Sequence, residues 1–206
     1  MSRTVVLAAA ISLALAACSG KESTPVSDTQ NPPAQQPADA STNPLLSAST
    51  LPFQAPPFDR IQDSHYLPAF DEGMRQHLAQ VRQISDNPEP ASFANTIEAL
   101  ERSGETLTRV SRIFFGLVQA DTNDARQQIQ EEVAPRLAAH GDEINLDPKL
   151  FARVKAVYDQ RAEAGLDAVQ QRLVERYHDG MVRAGAELSD ADKATMRQLN
   201  VEETTL

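Results

Sequence analysis

The chain has 206 residues and a formal net charge of -10, and such an acidic surface repels phosphate backbones, so it excludes nucleic acid as an expected partner. Aromatic residues make up 5% of the chain and tryptophan is absent, so the core must rest on leucine, valine, isoleucine and alanine, which favours helices over sheets. The single cysteine excludes an internal disulfide and a thiolate zinc cluster.

The chain begins with a short positive segment followed by an apolar run over residues 5–17 that ends in small side chains. A membrane-spanning helix needs about 20 apolar residues, so this run is too short for a permanent anchor. The pattern is typical of a signal peptide over residues 1–17.

The residues around the cysteine predict a lipid modification. Leu15-Ala16-Ala17-Cys18 resembles the bacterial lipoprotein box, in which the thiol is alkylated by a diacylglyceryl group and cleavage then exposes the cysteine amine for acylation. Cys18 would then be the lipidated N-terminus and the contact with the membrane, since several acyl chains anchor stably. Ser19 is compatible with sorting to the outer membrane, facing the periplasm. An ordinary signal peptide with an incidental cysteine is the alternative.

Residues 18–43 predict a disordered tether, because they contain no aromatic residue, one valine and four prolines. At about 5 to 6 Å times the square root of the residue number, such a segment reaches roughly 25 to 30 Å and would hold a domain clear of the bilayer. A partner-binding tail is the alternative.

Residues 44–206 read as an all-α helical bundle of about six helices. After a proline-rich extended stretch, Asp63 and Pro68 indicate the start of the first helix. Its predicted apolar face is Leu67, Phe70, Met74, Leu78 and Val81. The same spacing continues from Phe93 to Val118 as one long helix or two, with Gly104 placed where a close helix neighbour could fit.

The last four predicted helices are recognised by their capping residues. Asn123 and Asp124 begin the third helix, in which Pro135 predicts a kink or a break. Asp147 and Pro148 begin the fourth, with Gly165 as its expected stop. The fifth and sixth begin at the capping pairs Asp167 with Gln170 and Ser189 with Asp192, and Gly185 lies near the end of the fifth. No stop signal closes the sixth helix, which predicts a chain that ends mid-structure.

Long collinear stretches resemble the start of a known peptidase. They read NPLLSASTLPFQAPPFDRIQDSHYLPAFDEGM, SFANTIEALERSGETLTRVSRIFFGLVQADTND, EEVAPRLAAHGDEINLDPKLFARVKAVYDQ and LSDADK. Over about residues 43–206 the chain is similar to the N-terminal part of the peptidyl-dipeptidases (Dcp, dipeptidyl carboxypeptidase), relatives of oligopeptidase A and thimet oligopeptidase. The resemblance implies an all-helical zinc metallopeptidase with a deep channel, which removes dipeptides from the C-terminus of short peptides.

The catalytic signature of that family is not in this sequence. The resemblance implies one zinc ion held by an H-E-x-x-H helix and a further glutamate, but none of the four histidines here has a histidine four residues away or a glutamate directly after it. The sequence therefore predicts no catalytic residue, no metal ligand and no cofactor in this chain.

The remaining polar and aromatic residues are predicted to be structural. His65 and His77 should lie on the surface or on a helix face, and His140, beside Asp142 and Glu143, in a turn between helices. The aromatic residues Phe70, Phe114 and Phe115 should pack in the core. Glu131 and Glu132 should form a solvated face.

Two functional hypotheses follow. In the first, the chain is the non-catalytic N-terminal region of an exported peptidyl-dipeptidase, inactive alone, truncated and lacking the C-terminal catalytic half as its partner. It would then form a wall of the peptide channel and expose an apolar surface. In the second, it is a free-standing periplasmic lipoprotein that binds a peptide or a protein.

Overall fold

The computed structural model describes residues 43–204. The predicted signal peptide, Cys18 and most of the predicted tether lie outside this range and stay predictions. The helices are α1 (Tyr66–Ser85), α2 (Ala99–Glu101), α3 (Glu105–Ala120), α4 (Asp124–Asn145), α5 (Pro148–Gln160), α6 (Ala168–Ala184) and α7 (Asp190–Glu203). Six of them have 13 or more residues and no strand occurs between residues 43 and 204, so the predicted all-α bundle of about six helices is confirmed. None of these helices is both long and apolar enough to span a membrane.

Helix α1 contributes to both apolar clusters of the core. Its first turns bury Tyr66 and Phe70 in the first cluster, while Val81 and Ile84 belong to the second. The other members of the first cluster are Leu45, Ala69, Leu107, Val110, Phe114 and Val133. The other members of the second cluster are Ile97, Leu100, Leu150, Val154, Val157, Val174, Met181 and Ala186. The predicted face of α1 was partly right, since Phe70 and Val81 are buried but Leu67 is only half-buried.

The chain enters the bundle through Asn43, which is itself buried. Its side-chain oxygen accepts a hydrogen bond from Leu45 N, and its Nδ2 donates to the carbonyl oxygen of His65 at 2.8 Å. This amide therefore ties the 3₁₀ turn Pro44–Leu46 to the start of α1, where the 3₁₀ turn Asp63–His65 leads into the helix.

The apolar run after α1 is divided by Gly104. A π-helical turn, Phe93–Glu98, continues into α2, and Gly104 then adopts φ +69° as the residue before α3. The predicted close neighbour of Gly104 is confirmed, because a Cβ atom here would lie 3.0 Å from the ring of His77. The run therefore forms two helical pieces joined at a glycine.

Helix α4 corrects the break that was one of the two expectations at Pro135 and the turn expected at His140. Pro135 does not break it, and the helix continues to Asn145. His140 therefore lies inside a helix and not in a turn, because Gly141 continues the helix and the true stop is at Leu146, before the Asp147-Pro148 start of α5.

The predicted caps of the later helices are largely confirmed. Asp147 accepts from two backbone N–H groups of α5, and Asp167 and Gln170 form a reciprocal capping box on α6. Ser189 caps α7 by accepting from Asp192 N. The expected stop at Gly165 was wrong, since α5 ends at Gln160 and Gly165 adopts φ +67° in the turn that follows.

Arg153 of α5 holds the proline-containing loop between α1 and the π-helical turn. Its Nη1 donates to the carbonyl oxygens of Asn87 and Glu89 at 2.7 and 2.9 Å. Its Nη2 donates to Asn95 Oδ1 at 2.9 Å. The Arg153 guanidinium therefore binds three residues of the loop and the turn, Asn87, Glu89 and Asn95, which no sequence pattern links to α5.

Candidate functional site

The most unusual polar contact in the bundle joins two histidines, one on α1 and one on α4. His77 Nδ1 and His140 Nε2 lie 2.9 Å apart, although the residues are 63 positions apart in the chain. His140 is 8% exposed and His77 is half-buried. His77 lies on the inward side of α1, between residues that belong to the two apolar clusters. On α1 the histidine contact therefore lies between the residues of the first apolar cluster and those of the second.

The burial of the second ring nitrogen of His140 indicates which atom carries the shared proton. His140 Nδ1 is buried and has no hydrogen-bond partner. A buried N–H without a partner costs more than a buried lone pair without one. The tautomer with the proton on His140 Nε2, donating to His77 Nδ1, leaves only the lone pair unpaired and is therefore favoured.

Both rings are held in the neutral form. Burial, with a smaller contribution from the neighbouring His140, lowers the pKa of His77 to about 4. Burial also lowers the pKa of His140, opposed by the charge of Glu143. Glu143 is itself engaged in an ion pair with Arg82 at 2.8 Å. At neutral pH the pair is therefore an uncharged hydrogen bond between helices.

Gly104, directly before α3, lies against the His77 ring and so borders the histidine pair. Its N–H donates to Gln80 Oε1 at 2.8 Å, and the missing side chain leaves room for the His77 ring. The approach of α3 to α1 is equally close at Gly73, where a Cβ atom would lie 3.0 Å from Leu107 Cα. Gly73 and Gly104 thus allow α3 to approach α1 closely, and Gly104 does so beside His77.

This site does not fit a zinc ion. Structural and catalytic zinc sites take at least three protein ligands, and between residues 43 and 204 no group of three or more His, Cys, Asp or Glu side chains could hold a metal. The two nitrogens already face each other across one proton. The pair can stabilise the contact between α1 and α4, and it responds to pH.

The other two histidines lie apart from the pair. His65 Nδ1 accepts a hydrogen bond from Gln62 N in the turn before α1. His178 of α6 stacks on Tyr158 of α5, with ring centroids 3.8 Å apart, and the guanidinium of Arg161 also lies over the Tyr158 ring, 3.8 Å from its centroid. Each of these histidines has a local structural contact.

The predicted aromatic and acidic residues are placed as follows. Phe70 and Phe114 are fully buried and meet edge to face at 5.4 Å, with Phe115 packed against the same cluster. Glu131 and Glu132 are exposed on α4. The predicted lipidation residue, Cys18, lies outside the described range.

A cleft of about 600 Å³ opens between the π-helical turn, the end of α5 and the start of α6. Its lining mixes apolar and polar side chains, among them Ser92, Phe93, Glu98, Val157, Gln160 and Leu166. The sequence did not predict this cleft or the histidine pair, because both bring together residues far apart in the chain. The inward position of His77 on the α1 face was the only local signal.

Comparisons with known proteins supply the family. No family model matches the chain. It is 50% identical over 164 residues to a dipeptidyl carboxypeptidase of Escherichia coli (80% of this chain, 24% of that protein) and 49% identical over 166 residues to the one of Salmonella typhimurium (81% and 24%). An organellar oligopeptidase A of Arabidopsis thaliana is 27% identical over 168 residues, covering 79% of this chain and 20% of that protein.

The chain is thus related to a segment of a group of peptidases that includes oligopeptidase A. More particularly, the chain is related to the N-terminal part of the dipeptidyl carboxypeptidases, which confirms the resemblance drawn from its sequence. It spans about a quarter of the length of these curated relatives.

Proposed function

We propose that this chain is the non-catalytic, helical N-terminal part of a dipeptidyl carboxypeptidase-type peptidase. The observation that supports this is the identity of about one half over four fifths of the chain. In this role the bundle forms a wall beside the peptide channel. The zinc ion and the groups that act on the peptide belong to the part of the relatives that this chain does not span.

The chemistry of the side chains supports a non-catalytic role. The sequence contains no H-E-x-x-H, so it lacks the two histidines one turn apart and the glutamate that together bind zinc and activate water. The only two histidines that meet in the described bundle use their facing nitrogens in one hydrogen bond. A metal-bound water therefore has no set of ligands among residues 43–204.

The test is hydrolysis of a tetrapeptide with a blocked N-terminus by the purified chain with added zinc, with and without a chelator. We expect no release of a C-terminal dipeptide in either condition. Release that the chelator abolishes, and that follows this chain through purification, would contradict the proposal. The E. coli relative serves as the positive control.

We also propose that the chain is exported and anchored through lipid on Cys18 at the outer membrane, facing the periplasm. The supporting observation is the short apolar run that ends in Leu15-Ala16-Ala17-Cys18. Cys18→Ser should abolish the lipid modification and leave residues 1–17 uncleaved, which a larger mass reports, and mass spectrometry of the parent should show an acylated Cys18 at the N-terminus. An unmodified Cys18 in a membrane-free parent protein would exclude the anchor.

A free-standing binding module is the second candidate, favoured by the cleft beside Phe93 and Leu166. Its volume of about 600 Å³ lies within the range of ordinary ligand sites, roughly 300 to 1,000 Å³. Short peptides titrated into the isotope-labelled chain should then shift the amide signals around this cleft. If the shifts are absent or scattered over the surface, the binding-module reading fails.

A further inference from the structure

Helix α7, all of which the structure describes, contributes no residue to either apolar cluster of the core. Helices α5 and α6 each bury at least two apolar residues, whereas the one buried residue of α7 is a lysine, Lys193. Leu199 and Val201 of α7 remain 55% and 38% exposed. The inward face of α7 consists of Lys193, Met196 and Asn200, of which Met196 is half-buried. The helix is therefore held to the bundle with little apolar burial.

Polar side chains join α7 to α4. Lys193 Nζ lies 3.5 Å from the carbonyl oxygen of Leu146, directly after α4, and Asn200 Nδ2 donates to Asp142 Oδ1 at 2.7 Å. Lys193 and Asn200 are two helical turns apart, so both lie on the same face of α7. A buried charge adds little net stability even when it is paired, because the loss of hydration offsets the contact. These contacts therefore orient α7 more than they stabilise it.

Closure of α7 over α4 leaves two charged side chains with few partners. Lys193 is 6% exposed and Asp142 is 7% exposed. The second carboxylate oxygen of Asp142, Oδ2, is buried and has no hydrogen-bond partner. Burying a charged group costs free energy unless its new partners replace the lost hydration. Movement of α7 away from α4 returns both groups to water, which favours the open state.

We infer that α7 detaches from α4 as a separate cooperative unit while the two apolar clusters of the core stay folded. Local opening is easiest in an element that buries little apolar surface, and α7 buries less than α5 or α6. The open state uncovers the end of α4 around Asp142 and Leu146, both of which the closed bundle buries. This opening does not depend on the proposed function.

Native-state hydrogen exchange of the full chain across a urea series tests this opening. We expect the amides of residues 195–199, in the middle of α7, to be protected at least about 100-fold less than those near Val154 in α5. These α7 amides should share one free energy of opening that depends weakly on urea, because little surface is exposed. Equal protection at the two sites would overturn the inference. So would a steady decrease of protection along α7 toward Glu203, which indicates fraying of the helix end.

Two substitutions on the inward face of α7 test the contacts themselves. Lys193→Met removes the buried ammonium and keeps a long side chain, so exchange of the α7 amides should slow by roughly 3- to 10-fold. Asn200→Ala removes the hydrogen bond to Asp142, so the same exchange should accelerate by roughly 3- to 10-fold.

Arg197→Ala, on the exposed side of α7, is the matched control and should leave this exchange unchanged. Faster exchange in Lys193→Met would overturn the buried charge as the cause of opening. Equal changes near Val154 and in α7 would overturn the separate opening itself, because α7 would then open only together with the whole bundle.

Discussion

The hydrogen bond between His77 and His140 makes the stability of the folded chain depend on pH, because burial lowers the pKa of both rings. It needs exactly one proton between the facing nitrogens, so protonating both rings would place two N–H groups against each other at 2.9 Å. Glu143 is the acidic group that raises the pKa of His140, and its partner Arg82 offsets that charge. Protonation of both rings at acid pH therefore breaks this hydrogen bond and weakens the contact between α1 and α4.

Lowering the pH from about 7 to 4.5 should lower the thermal midpoint of the chain. The pKa of His77 is about 4 when folded and 6.5 when unfolded, so the unfolded chain binds more protons between these values and folding loses stability as the pH falls through that window. Circular dichroism melts of the parent and of His77→Gln measure this. The variant should be less stable at neutral pH but should depend less on pH across the window. A slope equal to that of the parent would exclude the pair as its source.

Gly104→Ala should destabilise the chain by about 1 to 3 kcal/mol, because φ +69° is unfavourable for alanine and the new Cβ would crowd the His77 ring. Gly116→Ala is the matched control on α3, where nothing lies within 4 Å of the added atom. It should stabilise by about 0.4 to 1 kcal/mol. Urea denaturation gives both values, and changes of the same sign at the two sites would contradict the role given to Gly104.

At the residue scale, the sequence predicted where a residue lies in a helix or a turn better than it predicted which distant side chain that residue contacts. The close neighbour of Gly104 followed from a glycine within an apolar run, and the neighbour is His77. The histidine pair was not predicted, because 63 residues separate its members and the sequence placed His77 on a surface or helix face and His140 in a turn. The pairing depends on how α1 and α4 cross, which no local pattern contains.

At the element scale, helix starts were predicted well and helix interiors less so. The caps at Asp147, Asp167 and Ser189 are local hydrogen bonds between near neighbours, so the sequence alone contains them. The π-helical turn Phe93–Glu98 depends instead on contacts with α5 and α6, which are distant in the chain. Helix α4 likewise continues through Pro135 to Asn145, although proline disfavours a helix interior.

Arg153→Lys should free the loop between α1 and the π-helical turn. A lysine ammonium cannot reproduce the planar fork that reaches the carbonyls of Asn87 and Glu89 and the side chain of Asn95. We expect a loss of about 1 to 2 kcal/mol, since two partly buried acceptors and one exposed acceptor lose a charged donor. The measurement is the urea midpoint together with amide exchange of residues 87–95.

Lys155→Ala on the same helix is the control for that experiment. Its ion pair with Asp159 is exposed and four residues away, so its loss should cost less than about 0.5 kcal/mol. If exchange in the loop rises equally in both variants, Arg153 does not hold the loop.

At the scale of the whole molecule, α1 contributes residues to both clusters of the core, and we expect it to couple their unfolding. The sequence predicted an all-helical bundle from periodicity, but the division of its core into two clusters depends on which helices meet. Tyr66 and Phe70 belong to one cluster and Val81 and Ile84 to the other, along one continuous helix. Unfolding either cluster therefore exposes one end of α1.

We expect the slowest amide exchange near Val110 and near Val154 to report the same free energy of opening, since these residues lie in the centres of the two clusters. Native-state hydrogen exchange across a urea series measures both. If the protons near Val154 exchange through a distinctly cheaper opening than those near Val110, the clusters unfold separately and α1 does not couple them.

The buried position of Asn43 also determines which part of the bundle a force applied to the preceding polypeptide would act on. Its Nδ2 donates to the carbonyl oxygen of His65 in the turn directly before α1, and Leu45 near it is fully buried. A pull on the polypeptide before residue 43 would therefore reach the start of the helix that both clusters share, before it reached any other helix.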